Sequence, residues 1–327
     1  MNDPGIIHNN RIISLMGPKN TVDPYKPYGW LVEKERTSKG IIEDTAVVFL
    51  TNRECPFHCL MCDLWKNTLD ETVPTGAIPA QIEHVLPHIK GVKHIKLYNS
   101  GSFFDPNAIP PGDYKAIANL LSGFETVIVE SHPVFLNEKV ADFKKLLQSE
   151  LHVAIGLEIA DDRMLLHLNK RMSLSDFKQA AGFLSELSVL SRAFILLRPP
   201  FTTEDEGIDW ACKSIDFAFK AGIECCTIIP VRGGNGVMEQ LKNDGMFIRP
   251  DIRSLERVLE YGISLQKGRV FADTWDLGLF SKCDQCLEER TERLIQMNLT
   301  QEIPEQILCK CNHTAQNQTA SEGPVSV

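Results

Sequence analysis

Cys55-Pro56-Phe57-His58-Cys59-Leu60-Met61-Cys62 sets three cysteines at C-x3-C-x2-C spacing directly after an apolar, strand-like run at 46–51. Three thiolates at that spacing can hold three corners of a cubane iron–sulfur cluster, which leaves the fourth iron without a protein ligand. An iron with labile coordination can take a small molecule that brings its own donors. The same residues allow a zinc knuckle with His58 as the fourth ligand, or three buried structural thiols. The position right after a strand, in a chain of 327 residues, favours the cluster.

Composition narrows the setting. The length suits one large domain with a small appendage, and 43% hydrophobic residues support a sizeable core. No apolar run reaches membrane-spanning length, and residues 1–19 hold no signal-peptide core. A cytoplasmic chain with no membrane partner is expected. There, ten cysteines argue for metal ligation over disulfides, and the Asn-x-Thr triplets at Asn298, Asn312 and Asn317 are chance matches. A net charge of −9 gives no broad basic surface for nucleic acid, although a partner protein could supply one.

From residue 46 onward, β-branched runs alternate with helical spacing. Strands are expected at 46–51, 93–98, 126–130, 152–158, 193–198 and 225–230, with a possible seventh at 269–272. Helices are expected at 78–89, 113–121, 137–149, 175–187, 204–221 and 251–267, with Ser175 and Asp251 as N-caps and Gly222 as a stop. Such alternation implies parallel strands with crossover helices, and six or seven units make an open, partial TIM barrel of the (β/α)6 kind. The expected organisation is an N-terminal extension over one barrel end (1–45), the barrel (46–275), a Cys-rich segment (276–313) and a disordered tail (314–327). Residues 1–18 are expected to be mobile.

In such folds chemistry sits at the C-terminal ends of the strands. Polar residues occur there in phase: Thr51-Asn52-Arg53-Glu54, Asn99-Ser100-Gly101-Ser102, Glu130-Ser131-His132, Gly156-Leu157-Glu158, Arg198 and Arg232-Gly233-Gly234. A second set, Cys283-Asp-Gln-Cys286 with Cys309-Lys-Cys311, can close a tetrahedral zinc site or another iron–sulfur cluster. Cys212, Cys225 and Cys226 read as core residues.

The cysteine stretch resembles the cluster loop of the radical S-adenosylmethionine (SAM) superfamily. The resemblance implies a [4Fe–4S] cluster on Cys55, Cys59 and Cys62, whose open iron is chelated by SAM, and reductive cleavage of SAM to a 5′-deoxyadenosyl radical. It also implies SAM contacts at Ser100, Gly101 and Ser102, where the superfamily has a Gly-Gly-Glu-type turn. Glu130 and Glu158 are the candidate ribose and ammonium partners, and Arg198 the carboxylate partner. Met61 stands where the superfamily more often has an aromatic residue. An electron donor such as flavodoxin or ferredoxin is implied as well.

Further stretches, among them Trp30-Leu-Val-Glu-Lys-Glu-Arg36, Tyr98-Asn-Ser-Gly-Ser-Phe-Phe-Asp-Pro106, Leu168-Asn-Lys170 and Leu196-Leu-Arg-Pro-Pro-Phe201, resemble the elongator-type and methylthiotransferase-type branch. Within it they look most like the radical SAM subunit of archaeosine synthase and its bacterial relatives. That subunit works with a partner enzyme on a modified 7-deazaguanine in tRNA. The Arg53-Glu-Cys-Pro-Phe-His-Cys59 run departs from that group's Gly-rich run. A radical SAM iron–sulfur enzyme of tRNA modification is therefore expected. The alternatives are the same chemistry on a small metabolite or peptide, or a non-catalytic zinc- or cluster-bearing binding protein.

Overall fold

Period-two patterning in the strands divides the fold into layers. The computed structural model of the chain describes residue 7 and residues 9–312; the tail expected at 314–327 lies outside the described residues. Its elements in order are α1 (Asn9–Leu15), β1 (Gly29–Arg36), β2 (Ile42–Phe49), α2 (Ala77–Val85), β3 (His94–Tyr98), α3 (Tyr114–Leu120), β4 (Thr126–Ser131), α4 (Glu138–Leu146) and β5 (Glu150–Glu158). There follow α5 (Asp162–His167), α6 (Leu174–Glu186), β6 (Leu190–Leu197), α7 (Glu204–Lys220), β7 (Cys225–Pro230), α8 (Val237–Asn243), α9 (Ile252–Ser264), β8 (Arg269–Ala272) and α10 (Leu287–Thr300). One sheet carries all eight strands in sequence order, β1 antiparallel to β2 and the rest parallel. The result is a curled, open partial TIM barrel with its helices outside.

Along each parallel strand, alternate residues go to opposite faces. Ile95 and Leu97, Val127 and Val129, Val153 and Ile155, Ala193 and Ile195, and Ile228 and Val270 join the apolar core under the helices. The other parity faces the lumen and is largely polar, with Lys96, Tyr98, Glu130, Glu158 and Arg192. The lumen holds an ion network. Lys96 Nζ pairs with Glu33 Oε1 at 2.6 Å and with Glu35, and Arg192 forks onto Glu35 at 2.6 and 3.2 Å. Burial would raise the Glu35 carboxyl, but Arg192 and Lys96 outweigh it and hold it well below the usual carboxylate range.

Residues 29–36, expected to belong to an extension over a barrel end, instead pair along β2 and form the first strand of the sheet. Residues 9–15, within the stretch expected to be mobile, are helical, and Ile12 is buried. The N-cap of α6 is Ser173, not Ser175. Ser173 Oγ accepts from the Asp176 amide, while the Asp176 carboxylate accepts from the Ser173 amide, a capping box that starts the helix two residues before Ser175. Asp251 caps α9 as expected, and Gly222, at φ +91°, follows the end of α7.

At the far edge, α10 stands in for a ninth strand. The side-chain amide of Gln301, just past its end, accepts from Val270 N at 2.7 Å and donates to Val270 O at 2.8 Å. Asn298 does the same to Ala272, at 2.8 Å both ways. Among the described residues no helix is long and apolar enough to cross a membrane.

Candidate active site

The cysteine loop leaves β2 at the C-terminal mouth of the barrel and is held by side chains from distant elements. Gln81 of α2 clamps Thr51, accepting from its amide and donating to its carbonyl, both at 2.8 Å. Asn235 Nδ2, after β7, donates to the carbonyls of Leu60 at 2.8 Å and Cys62 at 3.1 Å. Asn169 Nδ2, after α5, donates to His58 O at 2.6 Å, and the Leu60 amide donates to Leu168 O at 2.9 Å. Cys62 N closes onto Cys59 O at 3.0 Å. The loop's backbone is thus tied at several points to elements far along the chain.

Cys55, Cys59 and Cys62, all half-buried, line one pocket together with Phe57, His58, Trp65 and Ser100. Ile12 of α1 and Met16 close one side. Burial pushes the Cys55 thiol up to about 12 and raises Cys59 and Cys62 as well. Three thiolates here are therefore costly until a cation offsets them. Several buried polar atoms around the loop have no hydrogen-bond partner among the described residues: Asn52 Oδ1, His58 Nδ1, Trp65 Nε1 and both amide atoms of Asn99. Convergent thiols with unpartnered polar atoms beside them suit a bound cluster and a polar small molecule.

The expected site residues fall into two groups. Ser100 lines the cavity, at φ 54°, with its Oγ 2.9 Å from Tyr28 OH. Gly101 lies against the loop: a Cβ there would sit 3.4 Å from Cys55 Cβ. Ser102 is buried, and its Oγ accepts from the His132 amide at 2.9 Å. Glu130, Glu158 and Arg198 do not line this cavity, and Arg198, at φ 54°, turns toward α7, where a Cβ on Gly207 would lie 2.8 Å from its own Cβ. Glu130 Oε1 accepts from Asn99 N at 2.7 Å and its carboxylate also meets the amides of Ser100 and Gly101, so it supports the turn from behind. Burial outweighs those bonds and raises its pKa to about 7. Arg198 donates from Nη1 to Glu204 and to Arg249 O, while its buried Nε has no partner among the described residues.

Glu158, at φ 64°, pairs with Lys170 Nζ at 2.6 Å. Lys170 was not singled out from sequence as a site residue, yet its charge acts on both Cys55 and Cys59. Burial would lower its pKa, but Glu158 and the thiols outweigh it, so the ammonium stays charged. Gly156 makes room for the pair, since a Cβ there would lie 2.4 Å from both Glu158 Oε1 and Lys170 Nζ. Gly156→Ala is expected to force the pair apart and cost about 3 kcal/mol, read as a lower denaturation midpoint. An unchanged midpoint would mean the pair can move aside freely. His132, expected at a strand end but given no role there, packs on Phe57 at 4.2 Å between ring centroids. Its Nδ1 accepts from the Val134 amide, so Nε2 donates to Lys170 O at 2.9 Å. Burial drives its pKa down to about 3, which keeps the ring neutral.

The second cysteine set also converges: the sulfurs of Cys283, Cys286, Cys309 and Cys311 all lie within 4.8 Å of one another.

No family model matches the chain. An uncharacterized protein of Methanocaldococcus jannaschii is 27% identical over 277 residues, 78% of this chain and 75% of that protein. Archaeosine synthase subunit beta of Thermococcus kodakarensis is 28% identical over 48% of this chain, which spans about half (51%) of that subunit. The Methanosarcina acetivorans subunit is 25% identical over 67% of each chain. Among solved structures, Elp3 of Methanocaldococcus infernus matches with a TM-score of 0.50 at 15% identity, over 68% of this chain and 58% of that one. The chain thus shares a partial-barrel fold with Elp3, and in sequence it is similar to archaeosine synthase subunit beta.

Proposed function

We propose that this chain is a radical SAM enzyme that carries a [4Fe–4S] cluster on Cys55, Cys59 and Cys62 and takes a hydrogen atom from a modified nucleoside in tRNA. The observation that carries the reading is the meeting of three thiols in one cavity at the C-terminal mouth of the barrel, with unpartnered polar atoms beside them. When bound, the cluster and SAM supply one-electron cleavage of a sulfonium bond and the radical that abstracts hydrogen. The chain's own residues hold and orient. Lys170 offsets the charge of the thiolates. Glu130 occupies the amides of the Asn99–Gly101 turn, which leaves the turn's carbonyls to accept from the SAM ammonium. Glu158 is the acidic partner on the lumen side, and Arg198 serves the SAM carboxylate once it exchanges its Glu204 partner for it.

The tRNA substrate, a partner subunit that presents it, and an electron donor of the flavodoxin or ferredoxin kind rest on similarity to archaeosine synthase subunit beta. Anaerobic reconstitution followed by a 5′-deoxyadenosine assay tests the chemistry; no cleavage of SAM by a cluster-loaded chain would sink it. A nucleoside profile of tRNA from a deletion strain tests the substrate, with one modified nucleoside expected to disappear or stall. Arg198→Ala is expected to weaken SAM binding by about 1.5–3 kcal/mol. Equal affinity in the variant would remove Arg198 from the site.

A further inference from the structure

We infer that Cys283, Cys286, Cys309 and Cys311 bind a single zinc ion and not a second iron–sulfur cluster. The inference is independent of the radical chemistry and rests on the spacing of the sulfurs. Cys283 Sγ lies 3.8 Å from Cys309 Sγ, Cys286 Sγ lies 3.7 Å from Cys311 Sγ, and no pair among the four exceeds 4.8 Å. Four sulfurs around one metal at about 2.3 Å form a tetrahedron whose edge is 1.63 bond lengths, about 3.8 Å. In a cubane each cysteine binds a different iron, and the sulfurs stand roughly 6 Å apart. In a two-iron cluster two cysteines share an iron, but the two pairs are again separated by roughly 6 Å. Neither cluster fits four sulfurs that all lie so close together.

The surroundings fit a closed, structural site. Four thiolates on a divalent ion carry a net charge of −2, and cations stand against it. Arg290 Nε is 3.3 Å from Cys286 Sγ, and Arg253 Nη1 donates to Cys311 O at 3.4 Å. These partners orient the ligands from outside the coordination shell. All four positions are filled by protein, so no place is left for substrate or water, as in structural and not catalytic zinc.

The segment that the site ties down has little else to hold it. Residues 301–309 form no regular structure, and Leu308 is 91% exposed. Arg293 donates to the carbonyls of Glu305 and Pro304 at 2.8 Å each, and Arg293 is in turn fixed by Glu256 and Glu260 of α9. The metal offsets the ordering cost that so few apolar contacts leave unmet. The clamp also reaches the barrel. Arg253 forks onto Asp251, the Asp251 amide and Ser254 Oγ both donate to Glu204, and Glu204 pairs with Arg198 at the end of β6.

The test uses the full chain with Cys55, Cys59 and Cys62 all replaced by Ala, so that only the C-terminal thiols remain. Elemental and acid-labile sulfide analysis is expected to find about one zinc per chain, no iron and no sulfide. Adding Cys309→Ser should remove that zinc. Iron with sulfide, iron alone, or no metal at all would each overturn the inference. Should the triple variant fail to fold, zinc-edge X-ray absorption on the unaltered protein gives an independent answer. Four sulfurs at about 2.3 Å are expected, and a shell containing nitrogen or oxygen would refute the four-cysteine site.

Discussion

Cys59→Ala is expected to abolish SAM cleavage while leaving the barrel folded. A chelate of three thiolates that loses its middle ligand no longer holds a cubane at that corner, and groups that act as one unit fail together. The loss expected in 5′-deoxyadenosine formation is therefore complete at the limit of detection, about 10³-fold or more. The fold should be spared because Gln81, Asn169 and Asn235 hold the loop through its backbone. Removing one half-buried sulfur leaves those bonds intact. The visible absorbance of the reconstituted protein and its thermal melt report the two halves separately. A variant that keeps both chromophore and turnover would refute the assignment, as would one whose melt collapses before any cluster is added.

The largest stability effect is expected at Arg192→Ala. Glu35 and Arg192 form a forked pair in the lumen with Lys96 alongside, and truncating one partner leaves an uncompensated buried charge. That costs about 3–5 kcal/mol, a large part of a domain's total stability. Chemical denaturation should show a lower midpoint with an unchanged slope. The double variant Glu35→Gln with Arg192→Met is expected to recover much of the loss, because it removes both charges. A single variant within about 1 kcal/mol of the parent would mean that water reaches the lumen and screens the network. The pH dependence has a defined sign. The folded Glu35 pKa lies below its unfolded value of about 4.3, so its contribution is complete above that pH. It is lost as the pH falls toward the folded value, and the acid limb should be shallower in the double variant.

The barrel's strands were legible because the face toward the helices is apolar at every second position, as in Ile95–Leu97 and Val127–Val129. β1 was not recognised as part of the sheet because both of its faces mislead. Glu33 and Glu35 point into the lumen, while Trp30 and Val32 are exposed. The rule that apolar residues go inside therefore reads this strand backwards. The cysteine triplet and the C-terminal pairs were legible because the thiols that meet in space also sit close together along the chain. Lys170 and Asn235 were not, since their value lies in partners far along the chain: Asn235 meets Cys62 across 173 residues. Glu130 was found by its place at a strand end, but its bonds to the turn's amides depend on how β3 and β4 sit side by side.

The paired amides of Asn298 and Gln301 bear on how copies of this chain behave in company. An open sheet ends in backbone donors and acceptors that invite a strand from another molecule. On β8 the groups of Val270 and Ala272 are already taken by those two side chains. Edge-to-edge stacking and strand exchange through β8 are thereby blocked without a ninth strand, and the same helix, α10, reaches the opposite rim, where Arg36 of β1 donates to Leu299 O at 3.4 Å. Farther along β1, Trp30 and Val32 are exposed on its outer face, Trp30 stacked on His88.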